Sequence, residues 1–328
     1  MIQSSELQNR WKKIQYSGKS EFEFIRIDSG ISIPEMSIGL NSSLNKCLLL
    51  ELPKNYNVDF QKSIKQNLTL YFFKDTNFIV LELTDKAFED LFDDLIISIY
   101  QHIYQLSDVD KYSKIFIAMF YKWSEFFDDK KVEKHSLDII KGLYGELFIL
   151  YLFIKECNSS HLNDILMSWK GPYDCGHDFV LDNKNIEVKT KETIKNSINI
   201  SSEYQLEDEL KKELELYVVS VETNSENAMS LSKLLELVKD MVINKMGDFS
   251  IILTALLQKN ITIQNIHIYD NFQFEVIEIA IYDCLDESFP KLTKSNTPKA
   301  IGSIQYTLYL DYLNDFLVSK RKFLNERY

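Results

Sequence analysis

The sequence predicts an α+β protein whose second part is an α/β unit with a mixed sheet. Three observations predict it. Strand-like runs precede helical ones in the first third of the chain. From Ser136 to Met246 the order reads helix, strand, strand, strand, helix, strand, helix. Hydrophobic residues make up 45% and aromatics 13%, against only 9 Gly and 5 Pro, which provides a packed core and no long linker.

Taken in order, "EFEFIRI" (Glu21 to Ile27) alternates with period two and reads as a strand. "LTLYFF" and "FIVLEL" flank the turn-like "KDTN" (Lys74 to Asn77) and read as a hairpin. Thr84 is placed to cap a helix whose apolar stripe runs through Phe88, Leu91, Phe92, Leu95, Ile96, Ile99 and Ile103. "YSKIFIAMFYKWSEFF" (Tyr112 to Phe127) reads as another helix. The charged "DDKKVEK" (Asp128 to Lys134) is the candidate boundary between an amino-terminal α+β region, 1–134, and a second domain, 135–328. The first region is the candidate surface for docking or DNA binding.

Ser136 is placed to cap "LDIIKGLYGELFILYLFIKE", a segment apolar on almost every face and therefore expected to be buried. The Gly and Pro of "WKGPYDCGHD" require a loop. A hairpin "FVL", "DNKN", "IEVKT" follows, then a polar strand "NSINISS", a charged helix "LEDELKKELEL", the strand "YVVSVE" and an amphipathic helix "SLSKLLELVKDMVINKM". The remainder holds strand-like "FQFEVIEIAIYD" and "SIQYTLYLDYL" and a basic tail, "KRKFLNERY", expected to be solvated.

The formal charge of −12 and a pI of about 5.0 argue against a stand-alone, non-specific nucleic-acid binder with a basic surface. They leave room for a local basic groove. The 4 cysteines form no C-x-x-C pair, so a reducing compartment is expected. The start lacks the apolar run of a signal peptide, and Leu147 to Ile154 is too short to span a bilayer. A cytoplasmic protein without a membrane partner is expected.

"HDFVLDNKNIEVKT" (His177 to Thr190) carries the chemistry. Strand alternation puts Glu187 and Lys189 on the face opposite Ile186 and Val188, and Asp178 opens the same hairpin. Glu146 is the only charged residue between Gly142 and Ile154 on the apolar helix. Taken singly, each is readily structural: an exposed ion pair, a turn residue, a helix face that reaches water. Together they can converge on one point. Magnesium takes hard oxygen ligands, which the carboxylates of Asp178 and Glu187 and the carbonyl of Val188 supply. Lys189 can then orient an attacking water and balance charge that develops on a phosphate. A glycosidase carboxylate pair does not need the lysine, and a kinase needs a glycine-rich loop that is absent. Cys175 and His177 form a Cys-x-His pair with no second pair at zinc-site spacing, so they read as loop residues. Trp169 reads as loop packing.

Together "GLYGELFIL", "WKGPYDCGHDF", "IEVKT" and "ISSEYQL" resemble the PD-(D/E)XK nuclease superfamily. More narrowly they resemble the bacterial PD-(D/E)XK motif proteins, a domain-of-unknown-function family found near restriction and phage-defence genes. The resemblance is strongest from Leu137 to Leu206. It implies a restriction-endonuclease-like core with a mixed central sheet flanked by helices, and a Mg²⁺- or Mn²⁺-dependent phosphodiesterase site. It places the acid of the "PD" half on Asp178, where this chain has His-Asp, and the "(D/E)XK" half on Glu187, Val188 and Lys189. It places the helix acid on Glu146 and a glutamine after the third strand on Gln205. The implied function is a DNA endonuclease of a restriction or phage-defence system, working as a homodimer or beside other defence proteins. A nuclease fold reduced to a non-catalytic DNA-binding or scaffolding subunit is the alternative.

Overall fold

A computed structural model describes residues 4–28, 33–54, 56, 58, 60, 62–128, 134–223 and 225–323. The chain divides into two compact units, Met1–Lys131 and Val132–Tyr328. Most of the charged stretch read as a boundary, residues 129–133, lies outside the described residues.

The first unit begins with helix α1 (Ser4–Trp11) and then forms six strands: β1 (Phe22–Arg26), β2 (Met36–Asn41), β3 (Lys46–Glu51), β4 (Lys62–Ile64), β5 (Leu68–Phe73) and β6 (Phe78–Leu83). They make one antiparallel sheet in the order β1-β2-β3-β6-β5-β4. The hairpin expected around Lys74 to Asn77 is β5–β6, with Leu68 opposite Leu83. Helices α2 (Glu89–Ile103) and α3 (Val109–Ser124) follow and pack on each other. Thr84 does not cap α2. Asp85 instead accepts a hydrogen bond from the Ala87 N–H and starts a short 3₁₀ turn that leads into the helix. The carboxylate competes better for an orphan N–H than the threonine one residue earlier.

The second unit opens with α4 (Leu137–Glu156), capped by Ser136 as its sequence predicts. Helix α5 (Leu162–Ser168) precedes the loop that carries Trp169 to His177. Strands β7 (Phe179–Val180), β8 (Lys184–Glu192), β9 (Ser197–Ile200), β10 (Glu213–Thr223) and β11 (Met229–Ser230) come next, then α6 (Leu231–Asn244) and α7 (Ser250–Gln258). Strands β12 (Gln273–Asp283), β13 (Tyr306–Tyr309) and β14 (Leu317–Lys322) complete it. The main sheet runs β11-β12-β10-β8-β7, with β14 also on β12. It is mixed, because β8 and β10 are parallel while the other pairs are antiparallel. The expected strand β9 pairs with β13 in a separate two-stranded sheet.

Two readings are corrected. Leu206 to Leu216 is not a helix. Its apparent stripe fails at Leu210, which is 94% exposed, and Lys211 takes a left-handed φ of 68° that ends any helical run. From Glu213 the buried residues alternate, Leu214, Leu216 and Val218, and the parallel ladder with β8 overrides the helix propensity of Glu, Leu and Lys. The described part of the basic carboxy-terminal run is a strand rather than a tail, and residues 324–328 lie outside the described residues. Lys320, Arg321 and Lys322 belong to β14 and pair with β12, although their side chains stay exposed. Among the described residues no helix is long and apolar enough to cross a membrane, and the four cysteines are unpaired.

Candidate active site

Strand β7 is only two residues long, and it leaves the edge of β8 open beyond Ile186, which pairs with Phe179. The open edge is where the site forms. Asp178, just before β7, puts its carboxylate where a neighbouring strand carbonyl would be: the Val188 N–H donates to Asp178 Oδ2 at 2.8 Å. The N–H and C=O of one strand residue point to the same side, so the Val188 carbonyl faces that edge too. Backbone also holds Asp178 from the loop side, because Lys170 and Gly171 donate their N–H groups to its carbonyl oxygen at 2.7 and 3.0 Å.

Glu187 and Lys189 share a face of β8, beside Leu216 and Val218 of β10. That face belongs to the apolar cluster of Ile198, Ile200, Leu214 and Leu216, and so Glu187 is only 1% exposed. Lys189 Nζ lies 2.7 Å from Glu187 Oε1, set out of line for a hydrogen bond, so this buried oxygen has a charged neighbour but no hydrogen-bond donor. The ion pair is the firmer description, since Coulomb attraction at that distance depends little on angle.

Glu146 arrives from α4. Gly145 makes the approach possible, since a Cβ there would overlap the hydroxyl of Thr190 on β8. Trp169, 1% exposed, donates its indole N–H to Glu146 Oε2 at 2.8 Å. Gly171 closes the arrangement. A Cβ on Gly171 would overlap Glu146 Oε2 and stand 2.7 Å from Asp178 Oδ1, so both carboxylates reach the space that this glycine leaves empty.

Burial raises all three acids, and repulsion by Asp178 adds to it for Glu146 and Glu187. Glu146 is raised well above the ordinary carboxylate range by burial first and Asp178 second, while Trp169, Lys189 and Lys259 pull the other way. Glu187 is likewise raised by burial and then by Asp178, against Lys189. Asp178 is raised by burial, against Lys189 and the Val188 N–H. Glu146 and Asp178 are half-buried by exposure, yet burial is their first cause. They sit at the bottom of an open cleft, where some surface remains although protein surrounds them.

The cleft holds about 870 Å³. Its lining balances Lys141, Lys189, Lys191, Lys195 and Lys259 against Asp138, Glu146, Asp174, Asp178 and Glu187, whereas the chain as a whole carries −12. Gln205 lines the cleft, and its amide oxygen accepts from the Ser201 N–H at 2.8 Å, so it braces the turn after β9. His177 is buried against the Gln205 carbonyl oxygen, 3.2 Å from Nδ1, and burial lowers its pKa. The structure thus brings Asp178, Glu187, Lys189, Glu146 and Gln205 to one cleft. Gly171 and Lys259 line the same cleft and Trp169 holds Glu146 there, and sequence reading missed the part of all three. Loop composition hints at Gly171 and Trp169, and nothing local marks Lys259.

The donor chemistry fits a hard divalent ion: carboxylate and carbonyl oxygens, a cradle at Gly171 that a side chain would fill, and a buried Glu187 oxygen without a hydrogen bond. Among the described residues no three His, Cys, Asp or Glu side chains stand at ligating spacing. Magnesium does not require three, since it is held by one or two carboxylates with water completing its shell.

A family model described as "Putative PD-(D/E)XK family member, (DUF4420)" matches residues 7–311. Neither a curated protein nor a solved structure matches the chain.

Proposed function

Since the chain belongs to the DUF4420 family of PD-(D/E)XK members, we propose that it is a divalent-metal-dependent nuclease that hydrolyses DNA phosphodiesters in a bacterial restriction or phage-defence system. The observation that carries this reading is the convergence of Asp178, Glu187 and Lys189 on the open edge of β8, with Glu146 reaching the same space over Gly171. Such an arrangement is costly for a merely structural site. Glu146, Asp178 and Glu187 share the cleft floor, and among the described residues only Glu187 of the three has a lysine, Lys189, in an ion pair.

Asp178 and Glu187, with the Val188 carbonyl, would hold Mg²⁺ or Mn²⁺, and Glu146 would hold or support it. Held there, such an ion would supply positive charge to the phosphate and lower the pKa of a water. The protein does the rest. The Val188 N–H and the backbone of Lys170 and Gly171 fix Asp178, so its carboxylate need not reorganise. Trp169 fixes Glu146 in the same way. Lys189, its side chain 15% exposed, leans on Glu187 and can turn toward an attacking water and the negative charge that grows on the phosphate. A homodimer or a complex with other defence proteins would supply DNA contacts that a −12 chain lacks.

The test is cleavage of supercoiled and linear DNA by purified protein, alone and with proteins encoded beside it. Cleavage is expected with Mg²⁺ or Mn²⁺, and none in excess chelator or with Lys189→Ala. Chelator-resistant cleavage, or an active Lys189→Ala protein, overturns the assignment.

A further inference from the structure

Lys259 is far from the hairpin in sequence and just past the end of α7, yet it lines the same cleft. Helix α7 packs against the turn Gly171–Tyr173, next to Asp174. The Lys259 backbone is fixed. Its N–H donates to the Leu256 carbonyl at 3.0 Å, and its carbonyl faces His135 Nε2 at 2.6 Å. The side chain is less constrained. Its ammonium pairs with Asp174 Oδ1, and the two side chains are 26% and 84% exposed. A pair so open to water is weak and readily exchanged. The same ammonium is near enough to Glu146 and Asp178 to act on both carboxyls.

We propose that Lys259 is a substrate-binding residue of this cleft, which leaves Asp174 to contact a phosphate of the bound nucleic acid beside the one that Lys189 serves. The inference rests on the nuclease reading above. Asp174 acts as a latch: in the free protein it occupies the lysine ammonium at the edge of the cleft. An entering polyanion offers the ammonium a stronger partner than one solvated carboxylate, because neutralised phosphates release condensed counterions.

The experiment uses the full chain and a fluorescein-labelled DNA duplex, with anisotropy in Ca²⁺ across a KCl series and cleavage in Mg²⁺. Lys259→Gln is expected to weaken binding about fivefold and to lower the salt slope by about one unit, the signature of one lost phosphate contact. KM should rise more than kcat falls, and Lys259→Arg should keep the slope. Asp174→Asn should tighten binding about threefold by freeing the lysine, and this gain should vanish in the Lys259→Gln background. Melting curves check that each variant is folded. A Lys259→Gln protein with wild-type affinity and slope overturns the contact. A gain from Asp174→Asn that survives in the double variant overturns the latch, since it then reflects general repulsion. Wild-type protein that cleaves, with Lys259 variants indistinguishable from it, overturns this inference alone; wild-type protein that does not cleave overturns the nuclease reading and this inference with it.

Discussion

Asp93 in the first unit and Glu187 in the second are similarly buried, at 3% and 1% exposure, but they keep different company. Asp93, on α2, is ringed by donors. The Trp11 indole N–H reaches Oδ1 at 2.8 Å, Lys46 Nζ lies 3.3 Å from the same oxygen, and the Gln8 amide donates to Oδ2. Burial raises its pKa, and Lys46 and Trp11 oppose that. Glu82 on β6 is similar, with the amides of Asn41 and Asn45 on Oε1 at 2.7 and 2.8 Å. Glu187 has one lysine, an oxygen with no hydrogen-bond donor, and two other acids in reach. A buried charge placed for stability has its hydrogen bonds satisfied within the protein. A buried charge left short of donors and beside like charges marks a place where something else completes it.

The sharpest way to break the comparison is to neutralise each acid and read catalysis against folding. Glu187→Gln and Lys189→Ala should each reduce single-turnover DNA cleavage by at least about a thousandfold, on the order of 4 kcal/mol of transition-state stabilisation, while the protein stays folded. Asp93→Asn should leave the rate per folded molecule within about twofold. Equal loss of rate in the Asp93 variant would show that the two acids do not differ in kind.

Stability should move the other way. Asp93→Ala leaves Trp11 and Lys46 without their shared acceptor and should cost about 3 kcal/mol in urea unfolding. Glu187→Gln, measured without divalent ions, should cost nothing or stabilise, because it removes a carboxylate whose ionisation burial opposes. A large loss for Glu187→Gln would place it with Asp93 as a structural acid.

Magnesium sharpens the contrast. At about a hundred times its Kd it should raise the stability of the wild-type protein by about 2.7 kcal/mol. It should do the same for Asp93→Asn and much less for Glu187→Gln. Thermal melts in EDTA and in Mg²⁺ read this directly.

The smallest effect is in the pH profile of the ion-free protein. Glu146, Asp178 and Glu187 are all raised in the folded state, so the native protein holds their protons more tightly than the unfolded chain does. Their contribution to stability is present below the ordinary carboxylate range, about pH 4. It is lost as pH rises through the raised values. Glu146→Gln should remove part of that decline, so its advantage over wild type should grow from acid toward neutral pH. Parallel urea midpoints for the two proteins across the range would contradict the assigned direction.

Much of the candidate site's geometry was legible because it is local. Asp178, Glu187 and Lys189 lie in one hairpin, and alternation alone puts the last two on a common face. Glu146 stood out because a lone charge in an apolar helix needs an explanation. The helix α4 and its Ser136 cap, the β5–β6 hairpin and the α6 helix were legible for the same reason: hydrophobic period and capping chemistry act within a turn or a strand. The error at Leu206 to Leu216 shows where that stops. Residues with strong helix propensity there enter a strand because β8 offers a parallel ladder and a buried face.

By itself the sequence determined which donor types are available, their order, and the local elements that carry them. Only the tertiary structure decided that β7 ends after two residues and leaves the edge of β8 open to Asp178, that Trp169 grips Glu146, and that Gly171 clears the space between two carboxylates. Lys259 is the clearest case, since nothing near it in the chain distinguishes it from a surface lysine. The reason is one of range. Propensity and periodicity are set by neighbours within a few residues, whereas burial, desolvation and the meeting of charges depend on segments that contact only after the chain has folded.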